Sequence, residues 1–357
     1  MSAIAIRGAG WVTPLGNRLD EVWNRLASGE RATVTSAAPA HYIAVSPEPL
    51  SALARAPRIR RSSVISLFSI AAAFAAMEEA GLPAGKLDDP VRTAVIFAIN
   101  SGGVHYTRRF YEKVAAEGAP GASPLLFPET VYNAPASHLS AMLGIDGASY
   151  TVVGDGSVGL AGLQLAEELL LTIPSLEQCI LVGAEECDWI LWEGYRTWRL
   201  LTPSPCVEYG SNRGMILAEG AGALVIGRAT GASGEITVSA ITDSYECQKT
   251  ASAALQRTLN RLPHPAEAAW VVGSGNGTWV DRAEASALDA VGVCNAPRFF
   301  PRCQLGDALG ASALMQVILG VLALRNGAAP FAHGNGPVLV TALGLNQQAG
   351  AALLKRS

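Results

Sequence analysis

The sequence predicts an α/β fold built from two related halves, and three observations lead to this expectation. Short apolar runs rich in β-branched residues alternate with longer segments of helical spacing along most of the 357 residues. The apolar runs are nearly continuous, which is typical of strands covered on both faces in a largely parallel sheet. The stretches before and after residue 230 each begin with a strand, and each later carries an apolar strand that leads into a glycine-rich turn and a helix.

The pattern places these elements along the whole chain. The predicted strands are residues 4–7, 94–98, 150–153, 179–183, 223–227, 236–241, 270–273 and 338–342. Apolar spacing and length predict helices at residues 19–26, 64–80, 159–171, 282–290 and 308–324. No low-complexity segment divides the chain, although residues 229–234 form a flexible joint of small residues. We therefore predict one integrated unit with an N-terminal half at 1–230 and a C-terminal half at 231–357.

The charge content is low for a globular chain. Only 16% of the residues are charged, whereas about a quarter is usual, which leaves a membrane protein or a chain that hides much of its surface. No uninterrupted apolar run of about 20 residues occurs, and polar or small residues dilute the long charge-free segments 62–77, 308–324 and 326–354. Residues 1–16 show no basic segment followed by an apolar one. We therefore expect a cytoplasmic protein without a membrane span.

Net charge and cysteine placement argue against three further classes of site. The net charge is −4 and the pI about 5.8, which argues against nucleic-acid binding. The one basic run, residues 55–61 with four arginines, is interpreted as a solvated connection or a docking patch. The six cysteines show no Cys-x-x-Cys pair and no histidine at ligand spacing, so we predict no metal and no disulfide framework. Separately, we expect that the chain needs no cofactor of its own. We interpret these cysteines as small apolar fillers.

Four segments resemble, in the same order, those of one enzyme family. They are residues 8–17 (GAGWVTPLGN), 133–159 (beginning NAPASHLS), 214–222 (GMILAEGAG) and 305–312 (LGDALGAS). They are similar to the opening strand, the nucleophile segment, the strand pair that closes the first half and the second-histidine segment of the β-ketoacyl-acyl-carrier-protein synthases. These are the condensing enzymes of fatty acid and polyketide assembly. The resemblance implies a thiolase-like αβαβα layered fold built from two related halves.

The chemistry of that family needs three side chains. A cysteine at the N-terminus of a buried helix, whose dipole makes the thiol more acidic, accepts the acyl chain as a thioester. Two histidines promote decarboxylation of the malonyl group and stabilise the resulting enolate. The resemblance places Gly156 at the cysteine, Asn276 at the first histidine and Asp307 at the second. No cysteine precedes Cys179 and no histidine lies in residues 265–332, so we predict that the chain lacks all three catalytic groups.

The resemblance also implies a role without catalysis. The family's glycine-rich turn near the C-terminus is matched by residues 343–346, which keep one glycine, and its lysine before the second histidine by Arg302. Members form dimers in which each subunit helps to wall the other's acyl tunnel. A chain with this fold and no thiol resembles the chain-length factors of type II polyketide synthases. We therefore predict a non-catalytic subunit that forms a heterodimer with an active ketosynthase. The complex would act in polyketide, aryl polyene or fatty-acid-like biosynthesis, and the chain would contact acyl carrier protein through that complex.

Two segments are predicted to line the tunnel and the interface. The resemblance places residues 101–110 across the tunnel and residues 126–132 in the segment that reaches into the partner's pocket. The candidate residues are Val104, His105, Tyr106, Phe110, Leu126, Phe127, Val131 and Tyr132. Bulky side chains here would shorten the product, because a growing chain stops where it cannot displace packed atoms. Ordinary core packing stays an alternative for Phe110 and Tyr132.

Two other functions stay open. One is acyl transfer or hydrolysis by Ser157, although Asp155 replaces the first glycine of a Gly-x-Ser-x-Gly turn and no base is identifiable. The other is a homodimeric protein that binds acyl chains or carrier protein. We interpret His138 as packing near the interface, and Glu185 and Glu186 as polar loop residues without chemistry. An aromatic cluster packs in the core or forms a surface covered by a partner. It comprises Trp189, Trp192, Tyr195 and Trp198.

Overall fold

A computed structural model describes residues 4–35, 40–145, 147–326 and 336–357. Within these ranges the strands are β1 (Ile4–Val12), β2 (Thr93–Ile99), β3 (Ser149–Val153), β4 (Gln178–Glu185), β5 (Gly220–Arg228), β6 (Ile236–Ser244), β7 (Trp270–Val272), β8 (Arg298–Phe299), β9 (Val338–Leu343) and β10 (Gln348–Arg356). The helices are α1 (Leu19–Ala27), α2 (Ser51–Ala54), α3 (Val64–Glu79), α4 (Val104–Glu117), α5 (Ala134–Leu143), α6 (Val158–Thr172), α7 (Trp189–Thr197), α8 (Ala251–Arg261), α9 (Val280–Ala290), α10 (Arg302–Leu305) and α11 (Ser312–Asn326).

The strand order repeats between the two halves of the sheet. From edge to edge it is β3-β2-β4-β5-β1-β6-β10-β9-β7-β8. Each half therefore places its own strands in the same order from its outer edge, namely third, second, fourth, fifth and first. The halves join where β1 pairs antiparallel with β6. This repetition confirms two related halves, whereas the boundary between residues 230 and 231 stays a prediction.

The sheet is mixed, so the expectation of a largely parallel sheet was wrong. β2 pairs parallel with β3 and β4, and β7 pairs parallel with β8 and β9. The remaining neighbours, which form the middle of the sheet, pair antiparallel. Helices cover both faces of parallel and antiparallel strands alike. An apolar run indicates burial on both faces and carries no information about strand direction.

The two halves of the sheet lie on either side of α6 and α11, and further helices cover their outer faces, which gives five layers with α6 and α11 at the centre. α6 packs on β2 and β4 on one side and on β6 and β10 on the other, and α11 packs on β5 and β9. α3 and α5 cover the outer face of the first half, and α8 and α9 cover that of the second. The stretch Leu309–Asn326 is long and apolar enough to cross a membrane, but 83% of it is buried inside the protein. Its apolar composition therefore matches its central position in the fold, as expected for residues 308–324.

Two glycines in the segment 8–17 allow the outer helix to pack directly on the sheet. A Cβ added at Gly8 or Gly10 would overlap the carbonyl oxygens of Ala76 and Ala72 in α3. The backbone of α3 therefore approaches β1 more closely than any side chain at these positions would allow. This close approach gives a physical reason for the glycines in the first family-like segment.

Candidate functional site

The three residues predicted at the catalytic positions lie together around one guanidinium group. Asn276 Nδ2 donates to Asp307 Oδ2 at 2.8 Å. Arg302 Nη1 donates to the same Asp307 oxygen at 3.2 Å, and Arg302 Nη2 donates to the carbonyl oxygen of Gly156 at 3.1 Å. The side chains of Asn276, Arg302 and Asp307 are buried. The fold therefore brings the three positions to one place, although they are far apart in the sequence.

The site lies where the two central helices begin. Gly156 is in the turn between β3 and α6, and Asp307 is in the loop between α10 and α11. Asn276 is in the loop that follows β7. Because the N-terminus of a helix carries a partial positive charge, the starts of α6 and α11 both favour negative charge in this region. The Asp307 carboxylate is suited to this position.

Further hydrogen bonds fix this buried ion pair. Asp307 Oδ1 accepts bonds from the Leu309 amide and the Ser312 hydroxyl, each at 3.0 Å. Arg302 Nη2 donates a second bond to Gln316 Oε1 at 3.0 Å. Arg302 Nε has no partner among the described residues. The cluster is thus a nearly saturated polar network and holds no thiol or imidazole.

The guanidinium group also occupies the space that a side chain at residue 156 would enter. A Cβ added to Gly156 would lie 3.2 Å from Arg302 Nη1 and 3.5 Å from the Gly344 Cα. A larger side chain at this position would therefore press on Arg302 and on the loop at residues 343–346. Even a Cβ at residue 156 would require the guanidinium group to shift by a few tenths of an ångström.

Asp155 and Ser157 flank Gly156 and are both buried. The Asp155 carboxylate accepts bonds from the backbone N–H groups of Asn346 at 2.7 Å and Ser157 at 3.3 Å. Burial raises the pKa of Asp155 to about 6. The Ser157 hydroxyl has no hydrogen bond within the described ranges, and a nucleophilic serine needs a base that accepts its proton. The arrangement does not favour the alternative in which Ser157 is a nucleophile.

The candidate gate residues lie on α4, a helix that is half-buried at its start. The His105 Nδ1 and an Asp188 oxygen are 3.0 Å apart, and burial lowers the pKa of His105. The Tyr106 hydroxyl donates to the carbonyl of Arg61 at 2.6 Å. Val104 and Phe110 are half-buried as well. Phe110 is therefore partly accessible to a ligand or partner, and the alternative that it is an ordinary core residue is not favoured.

The candidate interface residues are mostly exposed. Phe127 is 55% exposed, Tyr132 47% and Val131 37%, whereas Leu126 is buried within its own chain. Phe110 packs on Phe127 with ring centroids 5.8 Å apart, so the two predicted segments touch. The exposure of Tyr132 excludes it from the core of this chain.

An apolar surface extends from this segment to the edge of the sheet. β3 is an edge strand that displays exposed apolar side chains, and α5 contacts both β3 and the turn at residues 127–129. We call the following set the apolar edge surface: Leu125, Phe127, Val131, Tyr132, Tyr150 and Val153. An exposed apolar edge strand is a template for pairing with another chain.

The comparison with family models matches residues 1–232 to the N-terminal domain of β-ketoacyl synthases. The chain belongs to the β-ketoacyl synthase family. A putative polyketide β-ketoacyl synthase 2 of Streptomyces cyaneus is 26% identical over 353 residues, which cover 88% of this chain and 83% of that protein. A 3-oxoacyl-[acyl-carrier-protein] synthase 2 of Coxiella burnetii is 24% identical over 174 residues, and the match spans 47% of this chain and 42% of that enzyme.

Solved structures of this family confirm the predicted layered, thiolase-like fold. A β-ketoacyl synthase from Burkholderia phymatum superposes with a TM-score of 0.84 at 18% identity and covers all of both chains. The ishigamide ketosynthase/chain length factor gives 0.82 at 18% identity, with 100% of this chain and 99% of that chain covered. A type II polyketide synthase ketosynthase in complex with its acyl-carrier protein gives 0.79 at 17% identity, with both chains fully covered.

Beside the family site lies a set of buried acids that the sequence pattern did not reveal. Glu185 is the last residue of β4 and accepts bonds from the amides of Asn100 at 2.5 Å and Ser101 at 3.3 Å. Glu186 is also buried and binds two other backbone amides. Glu219 accepts bonds from two more. The interpretation as a polar loop residue was therefore wrong for Glu185, which lies in β4, whereas Glu186 does follow the strand but is buried. The missed signal is a pair of acids at the end of a buried strand, where the next loops supply N–H donors.

These acids make the stability of this synthase-family chain dependent on pH. Burial raises the pKa of Glu185 to about 8, and those of Glu186 and Glu219 to about 7. The folded chain therefore binds more protons than the unfolded chain above the ordinary carboxyl pKa of 4.5. We expect the free energy of unfolding to fall as the pH rises from about 4.5 to about 8, measured by urea unfolding. Glu185→Gln should weaken this dependence, because Glu186 and Glu219 remain, and Glu208→Gln at an exposed carboxylate should leave it unchanged. A pH dependence as steep in Glu185→Gln as in the wild type would contradict the assignment.

The aromatic cluster divides between core and surface. Tyr195 is buried, whereas Trp189 and Trp198 on α7 are exposed. A groove of about 680 Å³ runs between α7 and the loop at residues 345–346, with Asn100 on its wall. Core packing therefore holds for Tyr195, whereas the covering of Trp189 and Trp198 by a partner stays a prediction.

The cysteines divide in the same way. Cys179 and Cys187 are buried, Cys206 and Cys303 are half-buried, and Cys247 and Cys294 are exposed. The interpretation of all six as apolar fillers was therefore wrong for the exposed pair. Within the described ranges no group of three or more His, Cys, Asp or Glu side chains is placed to hold a metal ion.

Proposed function

We propose that this protein is a non-catalytic, chain-length-factor-like subunit that forms a heterodimer with an active ketosynthase. In that complex it shapes the tunnel in which the acyl or polyketide product grows. The observation that carries the proposal is the network around Gly156. Arg302, Asp307 and Asn276 fill the space where the family places a thiol and two imidazoles. Without these groups the chain has no acyl-enzyme step of the family's kind.

The apolar edge surface supports the proposed partner. It contains Phe127 and Tyr132 beside the edge strand β3, and aromatic side chains are enriched in the cores of protein interfaces. The partner supplies the cysteine and both histidines, and carrier protein delivers substrate to that partner. The low charge content of the chain is consistent with a second hidden face.

The segments beside this surface suggest how the chain acts on the product. Phe110 on α4 contacts Phe127, so α4 lies directly behind the apolar edge surface. Side chains on α4 set where a growing chain stops, because packed atoms cannot be displaced without loss of contact energy. We place this activity in polyketide, aryl polyene or fatty-acid-like biosynthesis in the cytoplasm.

Co-expression with a cysteine-containing ketosynthase of the same organism tests the proposal. Native mass spectrometry should show a 1:1 complex, and product should form only when both chains are present. The isolated chain should not become acylated by an acyl thioester, and Ser157→Ala should leave the activity of the complex unchanged. A stable homodimer that binds none of the ketosynthases tested would contradict the proposal and favour the acyl-binding alternative. An acyl adduct lost in Ser157→Ala would favour the serine enzyme.

A cysteine placed at residue 156 is expected not to restore condensation. The new side chain would start 3.2 Å from Arg302 Nη1. Asn276 has no ionisable group, and the Asp307 carboxylate already accepts bonds from Asn276 and Arg302, so neither side chain reproduces an imidazole N–H that donates to the enolate. Gly156→Cys should therefore give no detectable condensation product from an acyl thioester and malonyl-carrier protein, measured by mass spectrometry. The active ketosynthase and its Cys→Ala variant are the positive and negative controls. Turnover by Gly156→Cys alone would contradict the view that three groups are missing.

A further inference from the structure

Two buried carboxylates from distant parts of the chain hold the start of α3. Glu129 Oε2 accepts a bond from the Ser63 amide at 2.8 Å, and Glu186 Oε2 accepts one from the Ile65 amide at 2.8 Å. The residue before α3, Ser63, provides no side-chain cap of its own. The first N–H groups of a helix have no partner within the helix, so Glu129 and Glu186 satisfy donors that α3 leaves open.

Glu186 holds a second helix with its other oxygen. Glu186 Oε1 accepts a bond from the His105 amide at 2.9 Å, at the start of α4. The residue before α4, Gly103, has no side chain to act as a cap. One carboxylate therefore binds the N-termini of α3 and α4 together, in the position that both helix dipoles favour. Asp188 adds a contact to α4 through Arg108 Nε at 2.9 Å.

Glu129 connects the same point to the apolar edge surface. It ends the turn that begins at Phe127, and its Oε1 lies 2.6 Å from His138 Nε2 on α5. A Cβ added to Gly103 would meet the carbonyl of Glu129, so this turn also packs against the residue before α4. A continuous set of contacts therefore begins at Phe127 in the apolar edge surface. It continues through Glu129, the start of α3 and Glu186 to α4.

We propose that Glu129 and Glu186 are positioning residues that couple partner docking on the apolar edge surface to the placement of α4, and thereby set the length of the product. We call this pair the carboxylate clamp. The proposal rests on the proposed function and adds the residues through which it is exerted. Contacts between two sites are not by themselves evidence that the sites are coupled. The test therefore measures both the hydrogen bonds at the start of α3 and α4 and the length of the product.

The test uses Glu186→Gln and Glu129→Gln in the full chain, co-purified with its ketosynthase. Glutamine keeps the volume but has one carbonyl oxygen, whereas Glu186 uses two oxygens for the amides of Ile65 and His105. Glu129 likewise uses one oxygen for the Ser63 amide and the other for the His138 ring. Amide hydrogen exchange at Ile65 or His105 should rise by at least about tenfold in Glu186→Gln, because one of the two amides loses its acceptor oxygen. The product length distribution should shift or broaden, while total turnover stays within about twofold. Glu193→Gln, which removes a surface ion pair on α7, should change neither.

A second measurement avoids dependence on the folding of one variant. Partner binding to the wild-type chain should slow exchange in α4 as well as in residues 126–132, and Glu129→Gln should remove the slowing in α4 alone. Unchanged product length in both variants would overturn the coupling. An amide hydrogen exchange rate in α4 that is the same with and without the partner would also overturn it. A wild-type chain that binds no ketosynthase would instead refute the proposed function, and the coupling would fall with it.

Discussion

Replacing Val153 by glutamate is expected to separate this chain from the proposed ketosynthase partner while leaving it folded. Val153 ends the edge strand β3 and is 50% exposed, so a charge there is solvated in the free chain. In the complex the same charge would be removed from water without a partner, which is strongly unfavourable. We expect the dissociation constant to rise by at least about a hundredfold, the range for a central interface residue. Size-exclusion chromatography and native mass spectrometry measure this loss.

Leu171→Glu is the matched control for this variant. Leu171 is a 58% exposed apolar residue near the opposite end of α6 from the site, so it adds the same charge outside the apolar edge surface. It should leave the complex intact. Equal affinity of Val153→Glu and wild type would show that β3 is not at the interface. Loss of binding in both variants would point to a general effect of charge instead of a defined surface.

The strands were predictable because apolar runs are a local pattern, and the site positions were predicted from the resemblance to a known family. Apolar runs identified most of the core strands, and the segments around Gly156 and Asp307 marked two loops that meet only in the folded chain. β10 escaped prediction because its small residues, Gly350 among them, lack the β-branched side chains typical of strands. The apolar pattern missed α4, because none of its residues is fully buried and its apolar stripe is weak. Only the resemblance indicated the start of a helix at residues 101–110.

The buried acids were not predictable from the sequence, for a different reason. Glu185 and Glu186 resemble exposed loop acids until the positions of their donors are known. The amide that binds Glu186 at Ile65 lies 121 residues away, and no local pattern reports such a distance. The same holds for Arg302, whose bond to the Gly156 carbonyl spans 146 residues. Sequence resemblance located the position of Arg302, but only the folded chain shows that it occupies the site.

Replacing Arg302 by methionine is expected to destabilise the chain by about 3–5 kcal/mol, because it leaves the buried Asp307 carboxylate without its counter-ion. Methionine keeps much of the side-chain volume, so loss of charge and hydrogen bonds dominates over loss of packing. The Gly156 carbonyl and Gln316 Oε1 lose a donor as well. Urea unfolding followed by circular dichroism measures the change.

A second substitution separates the buried charge from the hydrogen bonds. Adding Asp307→Asn to Arg302→Met removes the uncompensated charge, while the asparagine oxygen can still accept from the Leu309 amide. The double variant should therefore be more stable than Arg302→Met alone. A single variant within about 1 kcal/mol of wild type, the usual range for surface changes, would mean that Arg302 is not held as described. If the expected order is found, the network of Arg302, Asp307 and Gly156 stabilises the start of the central helices, and a thiol or imidazole could be introduced there only after that network is replaced.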